Sequence, residues 1–342
     1  MKNFATYFLF AVLLSGLFAV NNVYSQSEDS LLQKVGNIDV NLDAPPDSVE
    51  NLYLNAVSFQ SFYDILSPVG EWIQISKEEV DEDMGDGNGQ SFSSISGDES
   101  LVFIWRPSGA GADWRPYTNG SWVYTDRGWF WNSNEGWGWA VYHYGRWWHS
   151  AKLGWVWMPG YVWAPAWVTW RVADNHIGWC ALSPRAKWRM DAGITEFNYR
   201  YKYNDADWVF VNKANFANDI NGANITAVSE NRNLVSGSKS LLNMREQNEA
   251  VTLAGPDAND IEKTTGMPVN EKSLKYVNDK SLAGVGDDKV SVYNEPLKRY
   301  KSRDDKLKAE NIEHPLKYKR TERVKKIIKR RVRHRVKIRK RF

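Results

Sequence analysis

GRWWHSAKLGWVW, residues 145–157, decides how the chain folds. Trp155 and Trp157 are two apart, which puts both side chains on one face of a strand. A near copy, GSWVYTDRGWFW, begins at Gly120, and both stretches run Gly-x-Trp, a polar segment, then Gly-Trp-x-Trp. Thr125-Asp126-Arg127-Gly128 supplies the aspartate and glycine of a tight reversal, so each copy reads as a β-hairpin. A helix would need spacings of three and four, and it would not accept Pro159 and Pro165 in the continuation GWVWMPGYVWAPAWVTWR, residues 154–171.

Fainter copies flank these two. GEWIQIS from Gly70 and LVFIWRP from Leu101 read as the strands of an earlier hairpin, split by an acidic insert at 77–99. WVTWRVADNHIGWCALSP, residues 167–184, reads as a later one with Asp174-Asn175-His176 near its reversal. The Trp-x-Pro endings at Pro107, Pro159 and Pro165 mark strand exits, where proline is tolerated. The expected fold is mainly β: antiparallel hairpin repeats forming a curved sheet or small barrel that hides its edges. The segment 58–208 holds all eighteen tryptophans and is the expected domain.

An Asn-rich segment, 209–293, follows. Its GPDANDIEKTTG, residues 255–266, predicts a short helix near 256–265 and a strand after it. Pro256 suits the first helical position, Asp257 and Asp260 the positive helix start, and Gly266 a left-handed end. The basic tail, 294–342, ends in KRTERVKKIIKRRVRHRVKIRKRF. Val324, Ile328, Val332 and Val336 form a narrow apolar stripe at helical spacing, although VRHRVKIR also alternates as a strand would.

The other end reads as an export signal. Lys2, the apolar run from Phe4 to Val20 and the small residue Ser25 match a signal peptide over 1–25. Ser15 and Gly16 interrupt the run, which is short for a bilayer span. The expected location is periplasmic or extracellular, associated with the cell envelope. Residues 26–57 read as a poorly ordered acidic leader broken by Pro45 and Pro46. Between 26 and 104 stand sixteen acidic residues against Lys34 and Lys77, and from Pro296 onward twenty-one Lys or Arg face five acids. Either the two ends pair with each other or each has its own partner. Cys180 is the only cysteine, so no internal disulfide forms, and its strand-like setting reads as a small buried hydrophobe.

WRPYTNGSWVYTDRGWFW, WGWAVYHYGRWW, GWVWMPGYVWAPAWVTWR and GWCALSP together resemble the exported, tryptophan-rich bacterial proteins of the domain-of-unknown-function 6600 family. The lead-in FYDILSPVGEW and the later segment from Gly255 to Gly266 are similar to stretches that accompany that domain. The resemblance implies export and a β-rich domain, and brings no established activity or catalytic residues. Cys180 and Ala181 stand where the family pattern suggests Ala-Pro, and the acidic insert is longer than the pattern.

For function, indole faces suit sugar C–H groups, and Trp148, Trp163 and Trp170 with Arg146 are the candidates for an exposed aromatic platform. The competing reading places the tryptophans in the core and Arg146 against an indole. The tail residues Lys325, Lys326, Lys329, Arg330, Arg331, Arg333 and Arg335 are candidates for holding anionic lipid, lipopolysaccharide or extracellular DNA. His143, His149 and His176 lack regular metal-ligand spacing, and the insert oxygens of Asp81, Asp83, Asp86 and Asn88 do not match a helix-loop-helix calcium site. No serine elbow, phosphate loop or HExxH occurs, Ser236-x-x-Lys239 lacks its companion motifs, and Asp126 with Glu135 is a carboxylate pair of unknown separation. No cofactor or metal is expected. The expected function is a non-enzymatic envelope or extracellular protein binding a glycan or protein partner, with a purely structural scaffold and a polysaccharide hydrolase as alternatives.

Overall fold

The computed structural model describes residues 59–85, 101–111, 113–160, 162–189, 192–196, 199, 201–247, 250–277, 279–293 and 319–339. The expected signal peptide and acidic leader, the second half of the insert and residues 294–318 lie outside them.

The described chain opens with helix α1, Phe59–Leu66, which buries Phe62 and Leu66. Strand β1, Gly70–Ser76, pairs antiparallel with β2, Leu101–Pro107, with Trp72 opposite Trp105. The next three hairpins are tighter: β3, Gly120–Thr125, with β4, Gly128–Ser133; β5, Arg146–Ser150, with β6, Gly154–Met158; and β7, Val168–Val172, with β8, His176–Ala181. The strands do not close into a barrel. The pairs β1–β2 and β5–β6 share a sheet through Trp105 opposite Trp157. β3–β4 continues into β13, Ala250–Leu253, β12, Asn243–Gln247, and β9, Ile194–Thr195. β7–β8 is flanked by β10, Val209–Asn212, and β11, Lys239–Leu241. Glycines and prolines between hairpins turn the chain from one sheet to the next, so edges are hidden by packing rather than closure.

Side-chain alternation in the first sheet explains the sequence pattern. Trp72, Phe103, Trp105, Trp147, Trp155 and Trp157 enter one large core, while Ile73, Ile75, Val102, Ile104, Trp148, Val156 and Met158 form a second cluster on the opposite face. That second face is closed by helix α2, Lys77–Met84, which contributes Val80 and Met84. The first half of the acidic insert is therefore a helix packed on the sheet. Ser76 and Glu79 form a capping box that starts the helix, and its two apolar residues are four apart on one face.

Fourteen of the eighteen tryptophans are buried. Among the described residues seven indole N–H groups reach oxygen, and six of those oxygens are carbonyls of non-strand segments: Trp105 to Leu66, Trp129 to Pro256, Trp147 to Val141, Trp157 to Tyr144, Trp167 to His143 and Trp179 to Tyr117, all at 2.8–3.0 Å. Each such tryptophan fills volume and ties a carbonyl outside the strands to the core. Tyr117 sits at the centre of this knot with a left-handed φ of 62°. Its hydroxyl donates to Tyr142 O at 2.9 Å and accepts from Trp167 N at 3.1 Å, which holds a conformation that costs a non-glycine residue on the order of 1–3 kcal/mol.

Short helices α3, Gly138–Val141, and α4, Asn231–Ser236, lead to α5, Ala258–Thr265. In α5 Asp257 is the N-cap and Gly266 the left-handed C-cap with φ 69°, while Pro256 precedes the cap instead of occupying the first helical position. A three-stranded sheet follows: β14, Ser273–Val277, parallel to β16, Lys289–Tyr293, which pairs with β15, Gly284–Val285. Its Leu274, Val290 and Val292 pack on Phe130. The described chain ends in β17, Lys319–Arg320, parallel to β1, and helix α6, Glu322–Arg339.

Candidate functional site

The expected platform is not open. Trp148 and Trp170 are 2% and 0% exposed. Trp147 and Trp148, being adjacent, point to opposite faces of β5, and α2 covers the second face, where Asp83 accepts from the Trp148 indole at 3.0 Å. Trp170 points from β7 into the main core against Trp122, 4.5 Å between centroids. Trp163 is half-buried, with His143 stacked on it at 5.5 Å, Tyr276 edge-on at 5.3 Å and the Arg127 guanidinium 5.8 Å from its centre. Arg146 is buried and lies 3.4 Å over the Trp167 ring, with its Nε donating to Ala186 O at 3.0 Å. The competing reading of Arg146, stacked on an indole, describes it.

The three histidines stand apart. His149 is partly exposed with Nδ1 3.7 Å from Asp207, and His176 starts β8. His143 is sandwiched between Phe130 and Trp163, with Nδ1 3.0 Å from Ala164 O. Among the described residues no group of three or more His, Cys, Asp or Glu is placed to hold a metal ion. Asp126 accepts from Leu274 N at 3.1 Å, and Glu135 accepts from Tyr142 Oη at 2.8 Å and Ser133 Oγ at 2.9 Å, so each carboxylate secures a turn. Cys180 is buried, and desolvation pushes its thiol well above the ordinary range.

Burial lowers the His143 pKa from 6.5 to about 4, against the pull of nearby carbonyls. The unfolded imidazole therefore binds a proton that the folded one refuses between those values. Stability from this group is complete above pH 6.5 and is lost as pH falls toward 4. A shift of this size corresponds to roughly 3 kcal/mol. His143→Gln is expected to flatten the rise in urea midpoint between pH 4.5 and 7; an unchanged slope would refute the assignment.

At the basic end, the tail docks on the acidic end. Thr321 Oγ1 donates to Glu79 at 2.9 Å, Arg323 donates to Glu82 at 2.7 Å and also pairs with Glu78, and Lys319 pairs with Glu71. Val324 and Ile327 are buried, so the face that docks combines apolar contact with ion pairs. Ile327 was not in the four-residue stripe read from sequence, because the helix begins on β1 and presents positions 324 and 327 inward. Lys325, Lys326, Lys329 and Arg330 are exposed, with Lys325 reaching Glu322 at 2.5 Å. Arg331, Arg333 and Arg335 lie on the same helix, and their side chains are outside the described set.

A cleft that sequence reading did not single out lies on the outer face of the β7–β8 sheet, with a volume of about 1020 Å³. Thr169 and Arg171 flank Trp170 on β7 and so face the cleft while Trp170 faces the core. Across from them run Tyr199, Tyr201 and Tyr203. Tyr201 and Tyr203 meet edge-to-face at 4.8 Å, and Tyr203 meets Trp208 at 5.6 Å. The Tyr199 hydroxyl is 2.8 Å from that of Tyr203 and 2.9 Å from Ser183 Oγ. Arg171 lies 5.1 Å over Trp208, donating to Val235 O at 2.9 Å and Ser238 O at 3.2 Å. Glu196, Asp205 and Lys202 complete the polar lining. The signal available in the sequence was the alternation Tyr-Arg-Tyr-Lys-Tyr at 199–203.

These features define a mainly β domain with an aromatic core, a docked cationic helix and an aromatic-polar cleft beside β7. Residues 89–186 match the model of a family of unknown function, DUF6600, the family that the tryptophan-glycine strings resemble. The match runs through the hairpins from β2 to β8. No curated protein and no solved structure matches the chain. Among the described residues no helix is long and apolar enough to cross a membrane.

Proposed function

We propose that this is a non-enzymatic exported protein of the cell envelope or extracellular space. Its β domain engages a glycan or protein partner, and α6 attaches it to an anionic surface of lipid, lipopolysaccharide or extracellular DNA. The observation that carries the reading is the division of labour on α6. Val324, Ile327 and Arg323 are spent on the domain, leaving Lys325, Lys326, Lys329 and Arg330 toward solvent. A docked helix presents these charges on a fixed face, so the ordering cost of binding is already met.

The test uses the full chain and vesicles containing anionic lipid. Each basic residue near such a surface contributes about 1 kcal/mol. Replacing the four exposed basic residues with alanine is expected to weaken co-sedimentation about a thousandfold at low salt, with parental binding falling steeply as salt rises. Salt-insensitive binding, or binding untouched by the four substitutions, would sink the proposal. The second reading, a scaffold without ligand, is favoured by the fourteen buried tryptophans, which serve the core.

A further inference from the structure

We propose that the cleft beside β7 is a binding site for an uncharged saccharide. This rests on the reading of the β domain as a binding module and names its site and ligand class. The buried indoles first considered for that role are unavailable, and the cleft supplies the same chemistry from other residues.

Four observations support it. The volume of about 1020 Å³ lies at the upper end of the range of small-ligand sites. The half-buried rings of Tyr201 and Tyr203 meet at 76°, so they offer apolar surface in two directions, as a sugar with C–H groups on its faces requires. Charge is balanced, with Arg171 and Lys202 against Glu196 and Asp205, so a polyanion would meet two carboxylates and a polycation two bases. A saccharide hydroxyl both donates and accepts, and this mixed lining answers both roles.

The cleft is also built to stay open. The other sheet containing two of the hairpins has both faces covered, one of them by α2, whereas here Arg171 is braced by carbonyls of α4 and the residues after it. Its guanidinium lies 5.1 Å over Trp208, and its buried Nε has no hydrogen-bond partner among the described residues. Trp208 is fixed from behind, its carbonyl accepting from Asn231 at 2.8 Å and from Arg115. A fixed aromatic floor beside mixed acidic and basic groups suits an oriented sugar ring.

The experiment is calorimetric titration of the full chain with neutral β-linked glucose and N-acetylglucosamine oligomers and with polygalacturonate. Binding of a neutral oligomer is expected. Tyr201→Ala and Arg171→Ala each lower it at least tenfold, while the four-residue tail variant binds as the parent does. Urea midpoints of each variant separate loss of the site from loss of fold. Binding of polygalacturonate alone, abolished by the tail variant, would overturn the cleft and leave the surface-attachment proposal standing. Neutral binding that survives Tyr201→Ala, or none to any neutral oligomer, would also overturn it.

Discussion

Gly128→Val is expected to lower the urea midpoint more than any other single change in the hairpin turns. Gly128 closes the β3–β4 reversal with φ 87°, a region that costs a residue with a Cβ roughly 1–2 kcal/mol. The space is also taken: a Cβ there would stand 1.9 Å from Leu253 O, and backbone does not yield as a side-chain end does. Leu253 N donates to Arg127 O at 3.0 Å, so relieving the clash pulls β13 from β4 and opens the junction between the β3–β4 hairpin and the later strands. Strain and overpacking together come to about 3 kcal/mol, a large share of the 5–15 kcal/mol typical of a domain. Gly136→Ala, where nothing lies within 4 Å and φ is ordinary, is the control and is expected to stay within about 0.5 kcal/mol of the parent. Equal midpoints for the two variants would show that the β13 contact does not contribute to stability.

The position of Gly128 illustrates what sequence conveys. Asp126 and Gly128 announced a reversal, because turn chemistry is local. The approach of Leu253, 125 positions away, left no local trace. The same division holds for the acidic insert. KEEVDEDM reads as solvated because six of its eight residues are charged, and only Val80 and Met84, four apart, carry the burial that makes it a lid over Trp148. Period-two spacing placed Trp129, Trp131, Trp155 and Trp157 on strands, but not which sheet face meets solvent, since a strand with both faces covered alternates between two cores. The basic tail was visible as charge, and pairing of the two ends stood as one alternative; that Glu78 and Glu82 receive Arg323 depended on α2 existing first. Tyr199, Tyr201 and Tyr203 gave a period-two signal weaker than the tryptophans around it, and their role as a wall became visible only once β7 was placed opposite.

Trp157→Ala is the substitution expected to cost most in the core, and its comparison with Trp157→Phe separates the two tasks of these tryptophans. The indole is fully buried, with Phe62 edge-on at 5.2 Å and Trp72 at 6.3 Å, and it lies opposite both Trp105 and Trp147. Truncating a buried tryptophan costs about 3–5 kcal/mol through lost contacts and the cavity left behind. Here it also removes the hydrogen bond that the indole donates to Tyr144 O at 2.8 Å, adding about 1 kcal/mol. The sum approaches the whole stability of a typical domain, so Trp157→Ala is expected to be unfolded or nearly so in the absence of denaturant. Trp157→Phe keeps a ring in most of the space and loses the donor, so a fall of about 2 kcal/mol with a native near-ultraviolet spectrum is expected. If Phe is tolerated without loss, the tie to Tyr144 is dispensable and the tryptophans act as volume alone. If Phe falls as far as Ala, shape decides and the hydrogen bond is incidental. An intermediate fall is what a chain with one cysteine requires of an aromatic core, in which each indole fills the space between sheets and fixes a loop that no disulfide can hold.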